Sequence, residues 1–221
     1  MTVLAQILAL DSAEANVAAA ALRVPLTGTL VALEPLEQRH EHDLRLAART
    51  SDWSLMPIDA TSTEGFSRWF RWALSTISTD PAARFAVIRR DSGRAIGSST
   101  FHTLHPEHRR VEIGMTWYAR GEWGSGANVE AKLLMLEHAF ALGFHRVEFK
   151  TDARNARSRR ALEALPAQFE GVMRKHMLVR DGQRRDSAYY AVTDDDWQDV
   201  RANLERRLAS RQASQTKPAA K

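Results

Sequence analysis

The sequence contains no cysteine. Disulfides, thiolate metal sites and a cysteine nucleophile are therefore excluded, and a cytoplasmic setting fits that composition. It also lacks any apolar run near the roughly 18 residues that a membrane-spanning helix needs. The Ala- and Leu-rich opening, residues 1–23, has no basic stretch ahead of its apolar part and carries Asp11 and Glu14 inside it. It is not expected to act as a secretory signal. Nor does the body of the chain have an excess of positive charge, despite a pI of about 9.7. From residue 201 onward six Lys/Arg face Glu205 alone, and taking that +5 from the total of +4 leaves −1 for residues 1–200. The global charge thus gives no reason to expect a nucleic-acid partner.

The 221 residues, 44% hydrophobic and 26% charged, suit one soluble domain with a real core. Residues 1–23 read as a weak helix or frayed extension with no docking face, 24–200 as the domain, and 201–221 as a basic tail with a disordered end, 210–221. The helix "DDDWQDVRANLERRLASR" (194–211), with acids first and arginines last, enters that tail. Residues 210–221 lack an apolar pattern, so their loss is expected to expose no core. "GTLVALEPL" (28–36) reads as a first strand and "STEGFSRWFRWALSTI" (62–77) as a helix, with Phe66, Trp69, Phe70 and Ala73 at helical spacing. "RFAVIRR" and "AIGSSTFHT" form a hairpin about "DSG", and "VEIGMTW" (111–117) is a further strand. A long helix follows, with Val129, Leu133, Leu136 and Phe140 along one stripe and Gly143 as its C-terminal cap. Strand 145–152, a helix from Asn155 to about Leu165, strand 168–179 and strand 186–193 complete the domain. The order predicts an α/β (α+β) fold, a mixed sheet with helices on both faces.

The long helix opens on "WGSGANV", with Gly124 and Gly126 one residue apart. A helix N-terminus offers unpaired N–H groups and partial positive charge, and glycines let an anion reach them. A third glycine of a dinucleotide fingerprint would fall at Val129, and no Gly-Lys-Ser/Thr follows. A tight strand-to-helix turn is the alternative. One strand later, "DARNARS" opens another helix among arginines, within a segment (145–185) of net charge +6 that suggests an anion site.

With "VEIGMTW", "WGSGANVEA", "VEFKTDARNARSRRALEAL", "FEGVMRKHMLVRDGQRRDSAYYAVTDDDW" and "LVALEPL", the chain resembles the GCN5-related N-acetyltransferases (GNAT). It is nearest the branch of Rim-type ribosomal-protein N-terminal acetyltransferases, over about 26–198. The resemblance implies a mostly antiparallel sheet of about seven strands, splayed between the fourth and fifth. It implies acetyl-CoA as co-substrate and no metal. Gly124, Ser125, Gly126, Ala127, Asn128 and Val129, with Trp123 beside them, would hold the pyrophosphate. Thr116, Trp117 and Tyr118 would carry the pantetheine, and Asn155 would bond its arm. Arginines near 154–160, Arg157 among them, would meet the 3′-phosphate, with Ser158 alongside. The sequence departs from the family at Trp123 and Asn128 in Q/R-x-x-G-x-G/A, at Leu162 where relatives have a tyrosine acid, and at Pro166.

Acetyl transfer to an amine needs a neutral amine, a polarised thioester carbonyl and a proton for the departing thiolate. Glu170 in "FEG" matches the base of the Rim-type branch, Glu112 on the central strand is the alternative, and Ser158 is the candidate acid. The competing reading of either carboxylate is an exposed or arginine-paired strand residue, and of Ser158 a helix cap. Trp53 and Asp52 are candidate acceptor contacts, although a core role for the tryptophans competes. The eight histidines lack paired carboxylates in ligand geometry, so no zinc site is expected. The expected partner is a small-molecule or peptide amine, with no membrane and a monomeric or homodimeric state. Succinyl-CoA is an alternative donor, and a non-catalytic acyl-CoA sensor or RNA-associated adaptor an alternative function.

Overall fold

A computed structural model describes residues 16–79 and 83–215. Helix α1 (residues 16–22) leads into β1 (Leu26–Thr27) and β2 (Val31–Pro35), then α2 (Glu41–Ala48) and α3 (Thr63–Thr79). The meander β3 (Ala83–Arg89), β4 (Ala95–His105) and β5 (Arg110–Tyr118) follows. Next come α4 (Ala127–Ala141), β6 (Arg146–Asp152), α5 (Ala156–Ala164), β7 (Gln168–Leu178), β8 (Arg184–Thr193) and α6 (Trp197–Gln215). Eight strands form one sheet in the order β1-β2-β3-β4-β5-β6-β8-β7. Every pairing is antiparallel except β5 with β6. That parallel step needs a crossover, which α4 supplies. The expected count of about seven strands is exceeded by β1, a two-residue strand that β2 recruits.

Strand alternation divides the core between two faces. Val31, Leu33, Phe85, Val87, Phe101, Val111, Ile113, Val147 and Phe149 pack beneath α1, α4, α5 and α6. Ala86, Ile88, Ala95 and Trp117 pack beneath α2 and α3, where Phe66, Trp69, Phe70 and Ala73 form the expected stripe.

Two expectations about the ends need correction. The described part of the opening segment docks, because Ala19 and Leu22 are buried and the Ala21 carbonyl lies 2.9 Å from His138 Nε2. The segment from residue 201 is no simple tail. It continues α6, whose Trp197, Val200, Leu204 and Leu208 recur every three or four residues and are buried against the core. The end expected to be disordered, 210–221, begins inside α6, which runs to Gln215; residues 1–15 and 216–221 lie outside the described residues.

One buried carboxylate fixes the glycine turn to the sheet. Glu130, in the first turn of α4, accepts hydrogen bonds from the N–H groups of Thr29, Leu30 and Val31 at 2.7–2.8 Å. Gly28 permits this, since a Cβ there would stand 2.5 Å from the Glu130 carboxyl carbon.

Candidate active site

The groove begins at a defect in β5. Thr100 pairs with Gly114 and Ser98 with Trp117, so Met115 and Thr116 together oppose Ser99. Met115 takes up the extra residue at φ 50°. Such a bulge bends its strand and sharpens its twist. The ladder to β6 covers only Arg110–Glu112 against Arg146–Glu148. Beyond it the strands part, and Ile113–Tyr118 presents a backbone edge with no strand beside it. The splay falls between β5 and β6, the fourth and fifth strands when β1 is left uncounted.

A helix starts at the end of each parted strand. At α4, Gly126 is the N-cap with φ 98° and Gly124 has φ 79°. Ser125 Oγ accepts from the Ala127 N–H. The N–H groups of Gly124, Gly126, Asn128 and Val129 have no partner among the described residues. A Cβ on Gly124 would meet nothing within 4 Å, whereas one on Gly126 would lie 3.1 Å from Leu30 Cδ1 and close to Arg211 and Leu208 of α6. Arg211 also donates to the Gly124 carbonyl, a contact that the expectation for residues 210–221 missed. At α5, Asn155 caps the helix by accepting from the Ser158 N–H at 3.0 Å. Its side-chain NH2 has no partner among the described residues. Asn155 therefore serves as the cap first considered for Ser158, and the Ser158 hydroxyl stays half-exposed in the first turn. Arg157 lies 3.8 Å over the Trp123 ring and 3.6 Å from Asp52, closing the mouth between the two helix starts.

Other expected contacts fall elsewhere. The side chains of Thr116, Trp117 and Tyr118 leave the groove, so only their backbone lines it. Trp117 packs against Trp53 and Trp69, with ring centroids 5.0 and 5.2 Å away. Trp53 is 2% exposed and donates its indole N–H to the Ala48 carbonyl. It is a core residue, and the acceptor role expected for it fails for lack of access. Asp52 is held by the Ser54 N–H and hydroxyl, and those bonds with nearby arginines keep its carboxyl below the usual range. It remains exposed beside Arg157.

The carboxylate beside the splay is Glu112. It ends the β5–β6 ladder and is 2% exposed. His102 Nε2 lies 3.3 Å and Lys150 Nζ 3.1 Å from its oxygens. Burial pushes its carboxyl up, but the adjacent His102 ring and Lys150 ammonium outweigh that, and the net direction is down. Gly114 makes room for this pair, because a Cβ there would collide with the His102 ring. The network continues as Lys150 approaches the Tyr189 ring, whose hydroxyl lies 3.2 Å from His176 Nε2. Glu170 stands apart. It lies in the β7 bulge beside Phe169 and Gly171, about 14 Å from β5 by three strand spacings. Arg146 clamps it with two bonds and holds its carboxyl below the usual range. Of the two candidate carboxylates, Glu112 stands beside the splay and Glu170 does not.

Above this face the β7–β8 tip reaches back to the loop before α3. Arg180 bonds the carbonyls of Trp53 and Ser54 at 2.9 and 3.2 Å. A cavity of about 100 Å³ lies there, with Ser54, Met56, Asp152, Arg154 and Arg180 among its lining residues.

Sequence reading missed Lys132, the one cation on the buried stripe of α4, three residues after Val129 and four before Leu136. Its ammonium donates to Ser99 Oγ and Thr116 Oγ1 at 3.0 and 2.8 Å, and burial pushes it down to about 7. Between pH 7 and the unfolded value the unfolded chain binds the extra proton, so this group makes stability rise with pH there, at up to about 1.4 kcal/mol per pH unit. Lys132→Met should remove that slope and gain most over wild type below pH 7. Ser99 and Thr116 remain bonded to each other at 2.8 Å. Denaturant unfolding at pH 6, 7.5 and 9 checks it, and parallel stability curves for the two proteins would disprove it.

Comparison with known proteins places this arrangement. Residues 31–168 match the model of the acetyltransferase (GNAT) domain. The chain is 32% identical to "Uncharacterized N-acetyltransferase p20" of Bacillus licheniformis over 96 residues, 43% of this chain and 53% of that protein. The chain thus spans about half the length of that curated relative. A GCN5-related N-acetyltransferase from Brucella melitensis superposes with a TM-score of 0.75 at 29% identity, covering 83% of this chain and 85% of the other. RimJ of Mycobacterium smegmatis, solved in complex with CoA-disulfide, shares the fold at a TM-score of 0.64 and 21% identity, covering 85% of this chain and 92% of the other. With most of the sheet, the splay and the glycine turn inside the matched segment, the chain belongs to the GNAT acetyltransferase domain family.

Proposed function

We propose that the protein is an acyl-CoA-dependent N-acyltransferase that moves acetyl from acetyl-CoA to a primary amine by direct attack in a ternary complex. One observation carries this reading: two helix N-termini flank a strand edge with no neighbour, one of them a glycine turn with four unclaimed N–H groups. That set fits a diphosphate joined to an amide-bearing arm. The N–H groups from Gly124 to Val129 would hold the diphosphate, and the edge of Ile113–Tyr118 with Asn155 would hold the arm. Arg157 stands at the mouth. The GNAT family membership agrees with this donor, and Rim-type kinship rests on the sequence motifs, since the likeness to RimJ adds the fold alone.

In this reading Glu112 takes the proton of the acceptor ammonium through a bridging water, while His102 and Lys150 keep it ionised and in place. A backbone N–H of the β5 edge polarises the thioester carbonyl. As the C–N bond forms and the C–S bond breaks, the nitrogen's second proton passes to the departing thiolate through the Ser158 hydroxyl, at the positive end of α5, which gives one proton and regains another. The acceptor enters from the α2–α3 face, and a cytoplasmic workplace suits the cysteine-free chain.

Gly124→Asp tests the donor site, because Asp tolerates positive φ and its carboxylate would face the diphosphate. Acetyl-CoA affinity by calorimetry should fall about tenfold or more, while Gly124→Asn, with the same shape and no charge, should lose far less. Equal affinities for folded Asp and Asn variants would refute the assignment. A thiol-release assay across amines then separates an enzyme from a sensor that binds donor and turns nothing over.

A further inference from the structure

We infer that Arg185 receives a carboxylate carried by one of the substrates, so that the protein selects a carboxylated ligand over a neutral one. This rests on the transfer reading above and goes further, to the substrate class. Arg185, on β8, is 7% exposed. Its Nε is buried without a partner, and among the described residues its guanidinium makes no hydrogen bond or ion pair. Asp152 pairs with Ser187 and Lys150 with Tyr189. Alternation then puts Arg185 on the same face as Asp152, Lys150 and Glu112, just past the end of β6 where the groove opens.

The carboxylates nearest in electrostatic effect are Asp152 and Glu112, and both are engaged. Arg154 binds Asp152 through its backbone N–H, Nε and a terminal nitrogen at 2.9–3.0 Å. Glu112 has His102 and Lys150. Burial pushes the Arg185 guanidinium down from its ordinary value, as befits a cation removed from water without a counter-ion. A buried charge with no partner costs stability, and a bound anion would reverse that cost. The guanidinium fork matches a carboxylate. With two carboxylates close by, a monoanion suits the site better than a phosphate dianion. The carboxylate has two possible carriers, the acceptor amine or the far end of an acyl chain such as succinyl.

The test uses the full chain and calorimetry. One series compares succinyl-CoA with neutral butyryl-CoA. A second, with CoA present, compares N-acetylglycine, N-acetylaspartate and N-acetylphenylalanine with their amides. Wild type should prefer the carboxylate in at least one series by about 30-fold or more. Arg185→Met should abolish that preference, keep acetyl-CoA affinity, and melt at or above the wild-type temperature without ligand. A preference in the first series assigns the carboxylate to the donor, and in the second to the acceptor. Indifference to the carboxylate in both series overturns the inference while leaving acetyl-CoA binding standing. A ligand-free Arg185→Met protein that melts several degrees lower also overturns it, by showing a structural ion pair. Wild type that fails to bind acetyl-CoA sinks the transfer reading, and this inference with it.

Discussion

Glu112→Gln should lower kcat/KM by about 10²–10⁴, the usual cost of losing a general base, while acetyl-CoA affinity stays near wild type. Glutamine keeps the shape beneath His102 and the contact to Lys150, yet it cannot accept a proton. The deficit should shrink as pH rises toward the acceptor's own pKa, near 8 for an α-amine and 10.4 for a lysine-like amine, because a neutral amine needs no base. Glu170→Gln is the matched control. It severs a partly exposed pair with Arg146, worth about 1 kcal/mol or less, and should leave the rate unchanged. Steady-state kinetics between pH 6.5 and 9.5 decide the matter. If Glu170→Gln is the inactive variant, the base sits on β7 after all. If both retain wild-type rates across pH, proximity alone drives the transfer.

Removing residues 202–221 should abolish cooperative folding or come close to it. That cut takes away Leu204 and Leu208, at 0% and 9% exposure, and uncovers the α4 surface beneath them. Two leucines at about 1.5–3 kcal/mol each amount to a large share of the roughly 5–15 kcal/mol that stabilises a domain. A milder version, Leu204→Ala, should cost about 2–5 kcal/mol and keep the fold. Deleting only 216–221 is the control and should shift neither melting nor donor binding. Melting curves for the three proteins settle it, and a truncation at 202 that melts like wild type would show that α6 adds nothing.

Much of the fold was legible because periodicity is local. The aromatic stripe of α3, the hairpin about "DSG" and the glycine start of α4 each follow from spacing within a dozen residues. The helix of α6 was legible but its docking was not, because its buried positions, Val200, Leu204 and Leu208, are sparse among arginines, and charge counting drowned a spacing of four. The open N–H groups at the start of α4 were legible for a related reason, since backbone N–H groups need only glycines and a helix start. The polar cluster around Glu112 depends on which side chains alternation and a bulge bring together from β4, β5, β6 and β8. No local pattern reveals that His102 reaches Glu112 past Gly114, or that Arg185 has no counter-ion among the described residues. Lys132 did leave a signal, as a cation on an otherwise buried stripe.

Three residue pairs between β5 and β6 are the whole hydrogen-bonded seam joining the two halves of this sheet. Across the rest of that seam the halves are joined through α4, by Arg157 against Trp123 and Asp52, and, over the top, by Arg180. Under the transfer reading the donor lies along the open edge and so behaves as a removable part of the seam. Measured stability is then a property of the mixture as well as of the chain, rising by about 2.7 kcal/mol when donor stands at a hundred times its dissociation constant. Melting temperatures of any variant are comparable only at matched donor concentration, and traces of carried-over CoA would count as stability that the polypeptide alone does not have.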